Sequence, residues 1–133
     1  MDYNDFLTQV IEDGITAAKA DYTKPEDKDK LEGSIEGFEA CRGKDPTALL
    51  KLFQEAQKRT QEAYREQSAD YWRIRGFEAE IEWVCNVVSA AFIDTSLRIV
   101  PVTVHGIEQA ARILADGVAI VSNEEEINDN GSP

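Results

Sequence analysis

The strongest constraint on the fold is a regular series of apolar residues in the second half of the chain. Its members are separated by three, four, three, four and three positions: Ile74, Phe77, Ile81, Val84, Val88 and Ala91. This spacing aligns side chains along one side of an α-helix, and such a helix must bury the stripe against other helices. Four further residues widen the stripe: Trp72, Ala79, Trp83 and Val87. We therefore predict a long helix that begins after Ser68 or Asp70 and is covered on more than one side.

Three earlier helices are indicated by apolar periodicity and by residues typical of helix ends. The first spans about residues 4–20. The second starts at a capping box that opens with Thr23, and it ends at Gly43. The third begins at Asp45, an acidic N-cap residue that is followed by a proline. Because only a short link separates the third and fourth helices, they are predicted to form a long antiparallel hairpin.

The C-terminal part of the chain has a different pattern. β-Branched residues over 97–104 predict a strand, which Pro101 restricts to an edge or an irregular position. A short helix from about residue 107 to 114 and a second strand over 118–121 follow. The tail, 123–133, is polar and acidic and is predicted to be disordered.

These elements predict a mainly α fold within one domain, residues 1–122. Its centre is a helical bundle built on the long antiparallel helical hairpin. A small strand–helix (α+β) appendage is predicted from about residue 96.

The charge balance excludes several classes of function. The 133 residues include 26 acidic and 14 basic ones, for a formal net charge of −12. Direct DNA binding requires a basic face that neutralises phosphates, and attachment to an anionic membrane requires one too. Residues 76–133 contain ten of the acidic residues and only two basic ones, Arg98 and Arg112.

Nothing in the sequence predicts export or membrane insertion. The N-terminus has no basic segment before an apolar one, and no apolar run approaches the roughly 18 residues that cross a bilayer. The two cysteines, Cys41 and Cys85, are predicted to be buried reduced thiols. We therefore expect a cytoplasmic protein.

Candidate protein-binding residues lie along the fourth helix. Glu78, Glu80 and Glu82 form an acidic cluster, and carboxylates at such spacing can imitate the phosphates of a nucleic acid. The alternative is that these acids only keep the protein soluble. Tyr71 and Trp72 add an aromatic pair of the kind that dominates protein interfaces, with the alternative that they pack within the fold.

Candidate anion-binding residues lie in two places. Arg73 and Arg75 flank the start of the fourth helix, where they could hold a nucleotide or pair with nearby acids. The second place combines the basic residues of the C-terminal part with a turn before a helix, whose N–H groups could face an anion. Its members are Arg98, His105, Gly106 and Arg112. For Arg98 and Arg112 an internal salt bridge is the alternative.

Metal and cofactor sites are not predicted. Glu36 and Glu39 form an ExxE pair like those that hold magnesium in all-α nucleotide pyrophosphatases, but the second motif of that site is missing. Two cysteines and one histidine are too few for a zinc site. No glycine-rich phosphate loop and no local signature of a hydrolase occurs, so we expect no catalytic residues.

Three stretches of the chain carry a family resemblance: FEACRGKDP at 38–46, DYWRIR at 70–75 and EWVCNVVSA at 82–90. They look like small uncharacterised acidic accessory proteins of tailed bacteriophages and prophages. The resemblance covers roughly residues 34–114. It carries over no functional residue, but it implies a phage product that blocks a host defence system by direct binding.

Three hypotheses of function follow, in order of preference. The first is an inhibitor that binds a host protein. The second is an oligomeric sponge for an immune signalling nucleotide, although the residues after 70–73 depart from the pattern of known phage sponges. The third is a magnesium-dependent hydrolase that uses Glu36, Glu39, Glu78 and Glu82. The apolar stripe with its two tryptophans also predicts a homo-oligomer, unless one chain buries that stripe by itself.

Overall fold

The computed structural model describes residues 2–91 and 106–113 and is mainly helical over these ranges. Four α-helices and one short 3₁₀ helix lie in the first range: α1 (Tyr3–Asp21), the 3₁₀ turn (Pro25–Asp27), α2 (Lys28–Ala40), α3 (Pro46–Arg65) and α4 (Tyr71–Ala91). Residues 106–113 are also helical. The mainly α class is thus confirmed. The predicted strands over 97–104 and 118–121 and the tail 123–133 lie outside the described residues.

The start of α2 differs from the prediction. Thr23 does not cap this helix; instead Pro25 opens a 3₁₀ turn that precedes it. Within that turn the N–H of Asp27 donates to the carbonyl of Lys24 over 2.9 Å. The ring of Pro25 fixes its φ angle, and proline has no backbone N–H to donate. Both properties are compatible with the first residue of a 3₁₀ turn, in which each hydrogen bond spans three residues.

The predicted start of α3 is confirmed. Asp45 is the N-cap, and its carboxylate accepts a hydrogen bond from the N–H of Ala48 over 2.8 Å. Pro46 follows in the first turn, where its missing N–H has no intrahelical partner to lose.

Replacing Asp45 with alanine tests this cap. The Ala48 N–H loses its acceptor, so the free energy of unfolding is expected to fall by about 1 kcal/mol. Urea denaturation followed by circular dichroism measures the change, and Asp45→Asn, which keeps an acceptor, is the control. Equal losses in the two variants would contradict the assignment.

The closest contact between helices joins α2 and α4. A Cβ on Gly33 would lie 2.1 Å from the carbonyl oxygen of Arg73, and one on Gly37 would lie 2.6 Å from that of Phe77. Both contacts join residues that are 40 positions apart, so α2 and α4 run in the same direction. Gly76 contributes from the α4 side, opposite the backbone of α2. The absence of side chains at these positions allows the two backbones to approach each other.

α3 lies along another side of α4. Three contacts connect the two helices: the Cys85 thiol with the carbonyl of Leu49 at 3.8 Å, Arg59 above the ring of Phe77 at 5.1 Å, and Tyr64 beside Tyr71 at 5.9 Å. The bundle is nevertheless not built on α3 and α4 alone, because α2 makes the most extensive contact with α4. α4 is therefore the central helix.

The core forms where α1 and residues 106–113 close over this arrangement. Four residues of α1 are almost completely buried: Phe6, Leu7, Val10 and Ile11. Ala110 and Ile113 of the short helix join the same cluster. From the apolar stripe of α4, Ile81, Val84 and Val88 are fully buried within this one chain. Their burial removes the stripe as a reason to expect a second subunit, and the oligomeric state stays a prediction.

No helix in the described ranges is long and apolar enough to cross a membrane. α4, the longest of them, has 21 residues but carries charged groups at Arg73, Arg75, Glu78, Glu80 and Glu82. Both cysteines are free and buried, as predicted. Burial raises the pKa of Cys85 to about 12, so that its thiol stays protonated.

Candidate functional site

A cavity of about 380 Å³ lies between α1, α4 and the helical residues 106–113. α1 and its C-cap supply five residues of the wall: Gly14, Ala17, Ala18, Asp21 and Tyr22. The rest of the wall comes from α2, α4 and the short helix: Phe38, Glu80, Trp83, Glu108, Gln109 and Arg112. A volume of several hundred Å³ is typical of a pocket for a small ligand.

Aromatic rings form one part of the cavity wall. The rings of Phe38 and Trp83 meet edge to face, with centroids 5.7 Å apart. Phe38 lies directly over Gly14, where a Cβ would be 2.2 Å from its ring. Gly14 therefore sets the position of Phe38, which in turn supports Trp83.

Carboxylates form the other part of the wall. Glu80 is half-buried, and this burial raises its pKa. A hydrogen bond from Ser34 and the charge of Arg75 act in the opposite direction, whereas Asp21 raises the pKa further. The pKa of Tyr22 is raised by burial and then by the charges of Glu80 and Asp21. Asp21 raises the pKa of Glu80, and both carboxylates raise the pKa of Tyr22, so negative groups are concentrated at this end of the cavity.

Two of the predicted anion-binding residues from the C-terminal part are described. Gly106 is buried at the start of the short helix, and Arg112 lines the cavity. Arg112 donates a hydrogen bond to Gln109 over 3.1 Å. Arg98 and His105 lie outside the described residues, so their part of the predicted anion site stays a prediction.

Arg73 and Arg75 both pair with carboxylates of the same chain. The guanidinium of Arg73 binds Glu36 through two nitrogens, one of them Nε at 3.1 Å, and this contact lowers the pKa of Glu36. Nη1 of Arg75 lies 3.5 Å from Glu78. Both arginines therefore form salt bridges within the chain, which is the alternative to nucleotide binding given above. The partner of Arg73 lies on α2 and not at a nearby position in the sequence.

Tyr71 and Trp72 lie on a surface together with Tyr64, which the sequence analysis did not select. We call these three residues the aromatic surface. The rings of Tyr64 and Tyr71 are 5.9 Å apart, and those of Tyr71 and Trp72 are 5.1 Å apart. Tyr64 is 74% exposed and Trp72 is 58% exposed. Lys30 adds a cation 5.0 Å from the ring of Trp72.

The carboxylates of the acidic cluster on α4 are less exposed to solvent than those of a surface that binds a partner would be. Glu78, Glu80 and Glu82 are all half-buried, and the side chain of Glu78 is only 14% exposed. The reason is the central place of α4, since its neighbours cover much of its circumference. Glu80 faces the cavity, whereas Glu78 pairs with Arg75.

The predicted ExxE pair is also engaged in salt bridges. Glu36 binds Arg73, and Glu39 binds Arg42, which also contacts Glu12 of α1. Over residues 2–91 and 106–113, no group of three or more histidine, cysteine, aspartate or glutamate side chains is arranged to hold a metal ion.

Comparisons with known proteins add no activity to this description. No family model, no curated protein and no solved structure matches the chain. The cavity and the aromatic surface are therefore the features from which a function is inferred.

Proposed function

We propose that the protein acts by binding another protein through the aromatic surface of Tyr64, Tyr71 and Trp72. The observation that carries this proposal is the exposure of two large rings, Tyr64 and Trp72, in one connected group. Covering exposed apolar surface with a partner makes the free energy of binding more favourable. Tyrosine and tryptophan are enriched among the residues that contribute most to that binding energy.

The charges around this surface favour a protein over a nucleic acid. Lys30 and Arg65 are close to the aromatic rings, but Arg73 is neutralised by Glu36. A chain with a net charge of −12 gains little from contact with phosphates. A mixture of aromatic rings, single cations and paired charges is typical of a protein interface.

The resemblance to phage accessory proteins supports a particular kind of partner. It favours a host defence protein in the host cytoplasm, which binding would inhibit. Imitation of a nucleic acid by Glu78, Glu80 and Glu82 remains part of this hypothesis, but their partial burial makes the aromatic surface the better candidate for the main contact.

Replacement of Trp72 with alanine tests the proposal. Loss of a central interface tryptophan typically costs about 2 kcal/mol or more of binding free energy, which weakens binding about 30-fold. The protein would be expressed in bacteria that carry different defence systems, and bound proteins would be quantified by mass spectrometry. We expect one host protein to be retained by the unaltered chain and lost with Trp72→Ala, together with relief of inhibition of that defence system.

Gln57→Ala, an exposed change on α3 that leaves the aromatic surface intact, is the matched control. If Trp72→Ala and Gln57→Ala retain the same partner equally, the aromatic surface is not the binding site. If a second copy of the chain covers this surface instead, light scattering during size-exclusion chromatography will show a doubled mass that Trp72→Ala removes.

The two other hypotheses have less support. A nucleotide sponge would need Arg73 and Arg75 to exchange their carboxylate partners for phosphates. A magnesium-dependent hydrolase would need Glu36, Glu39 and Glu78 to leave arginines that already hold them.

A further inference from the structure

We propose, on the basis of the function proposed above, that the partner of the aromatic surface is an acidic helix that packs along the exposed face of α3. That face presents a row of five residues at alternating intervals of three and four positions: Lys51, Gln54, Lys58, Gln61 and Arg65. We call these five residues the basic stripe. All five are exposed, and their spacing places them on the side of α3 opposite its buried residues.

The charge of α3 calls for an acidic partner. Of the four α-helices within residues 2–91, α3 alone is positive: it carries four basic and two acidic residues, in a chain whose net charge is −12. The two acidic residues, Glu55 and Glu62, lie outside the basic stripe. Ion pairs in the described ranges engage Arg42, Arg73 and Arg75, and none of them includes a cation of the stripe. Carboxylates of a partner would therefore meet cations that no carboxylate of the described residues holds.

The basic stripe is continuous with the aromatic surface. Gln61 lines two adjoining depressions, one along the stripe and one formed with Tyr64, Arg65 and Tyr71. A partner that covers the rings therefore also reaches the stripe. The rings supply the apolar contact, and the cations determine the orientation and charge of the partner.

The spacing of the cations fits a helix better than a nucleic acid. Lys51, Lys58 and Arg65 are separated by seven positions each, which places them about 10 Å apart along the axis of α3. Carboxylates at seven-residue intervals on a second helix have the same spacing, so each can face one cation of the stripe. Duplex DNA presents one charge per roughly 1.7 Å of its axis, and most of its phosphates would find no cation here.

Two other occupants are less complementary to the basic stripe. A second copy of the chain related by a two-fold axis would bring the stripe against itself, and like charges would repel each other. The segment 123–133 is acidic, but its acids lie at Glu124, Glu125, Glu126 and Asp129. These intervals do not match the seven-residue spacing of the cations.

Selection from a phage-displayed peptide library tests the proposal. The library presents randomised peptides of about 21 residues on an alanine-rich background, a length at which helices form in water. The full chain is the immobilised target. We expect the enriched peptides to carry aspartate or glutamate at seven-residue intervals and apolar residues near one end. Enrichment of peptides without this acidic spacing, or no enrichment, would overturn the proposal.

Lys58→Glu is the diagnostic variant, and fluorescence anisotropy of the most enriched peptide measures its effect. Lys58 is at the centre of the basic stripe, so reversal of its charge should weaken binding at least about 10-fold. Lys19→Glu, an exposed change on α1, alters the net charge of the chain equally and should leave the affinity unchanged. Exchange of one acidic residue of the peptide for lysine, tried at each position in turn, should restore binding to Lys58→Glu. Equal weakening by the two variants would mean that the peptide responds only to net charge, and the proposal would be wrong.

The same peptide distinguishes failure of this proposal from failure of the proposed function. If Trp72→Ala weakens binding and Lys58→Glu does not, the aromatic surface is the binding site but the acidic helix is wrong. If Lys58→Glu weakens binding and Trp72→Ala does not, the acidic helix lies on α3 and the proposed function is wrong.

Three competing occupants give results of their own. A synthetic peptide of residues 123–133, or single-stranded RNA, that binds as tightly as the enriched peptide and is weakened by Lys58→Glu would replace the acidic helix as the occupant. A dimer mass in light scattering that Lys58→Glu removes would identify a second copy of the chain. Each of these three results would overturn the proposal.

Discussion

Replacement of Gly33 with alanine is expected to lower the free energy of unfolding by about 3 kcal/mol. A Cβ at this position would lie 2.1 Å from the carbonyl oxygen of Arg73 and 2.9 Å from its carbonyl carbon. Both atoms belong to the backbone of α4, so no side-chain rotation can relieve the overlap. The helices must separate, and every contact between α2 and α4 weakens with them.

Helix propensity acts in the opposite direction, so the sign of the change in the free energy of unfolding distinguishes the two effects. Alanine is favoured over glycine in the interior of a helix by about 1 kcal/mol, so substitution at an open position would stabilise α2. At Gly33 the steric cost should exceed this gain. Gly37, where a Cβ would lie 2.6 Å from the carbonyl oxygen of Phe77, should show the same sign with a smaller loss.

Urea denaturation monitored by circular dichroism measures both effects. Asp29→Ala, an exposed change in the same helix, is the control and should alter the free energy of unfolding by less than about 0.5 kcal/mol. A Gly33→Ala protein as stable as the unaltered chain would mean that α2 and α4 are farther apart than described.

The helices themselves could be predicted from local signals. Asp45 and the following proline mark the start of α3 because a side-chain cap and a fixed φ act within a few residues. The stripe that includes Ile81, Val84 and Val88 predicted the buried side of α4 because helical periodicity alone determines which residues share a face.

The partner of each helix was harder to predict. The short link after α3 predicts the α3–α4 pair, whereas the most extensive contact of α4 is with α2. The relevant signal is the spacing of Gly33 and Gly37, which leaves two positions one turn apart on α2 without side chains. That spacing indicates a close neighbour but does not identify it, since the choice of neighbour depends on how the helices pack together.

The candidate sites could also be predicted from the sequence only in part, because their residues come together through packing. The sequence predicts Tyr71 and Trp72 as one group because they are adjacent, but Tyr64 joins them only through the packing of α3 against α4. Arg73 pairs with Glu36, which lies 37 positions away in the sequence, and not with the acidic residues close to it in the sequence. The cavity draws on α1, α2, α4 and residues 106–113, so no local motif could have indicated it.

Replacement of Phe38 with alanine is the second substitution with a large expected effect. Phe38 is only 2% exposed, and its ring joins three helices by lying over Gly14 of α1 and making an edge-to-face contact with Trp83 of α4. Removing a buried phenylalanine ring typically costs about 3–5 kcal/mol, because the lost transfer free energy adds to that of the space left behind. We expect a loss near 4 kcal/mol, partly because the edge-to-face contact contributes beyond the buried area.

Thermal and urea denaturation of Phe38→Ala measure this loss, with Trp72→Ala as the aromatic control. Trp72 is a larger side chain, but it is 58% exposed, so its removal should cost less than about 1 kcal/mol. Similar losses in the two variants would contradict the assignment of Phe38 to the core. The Gly14→Ala substitution adds a direct test of the contact, since its Cβ would overlap the ring of Phe38 at 2.2 Å. Because the smaller side chain removes that overlap, the loss caused by Gly14→Ala should be smaller in the Phe38→Ala background than in the unaltered chain.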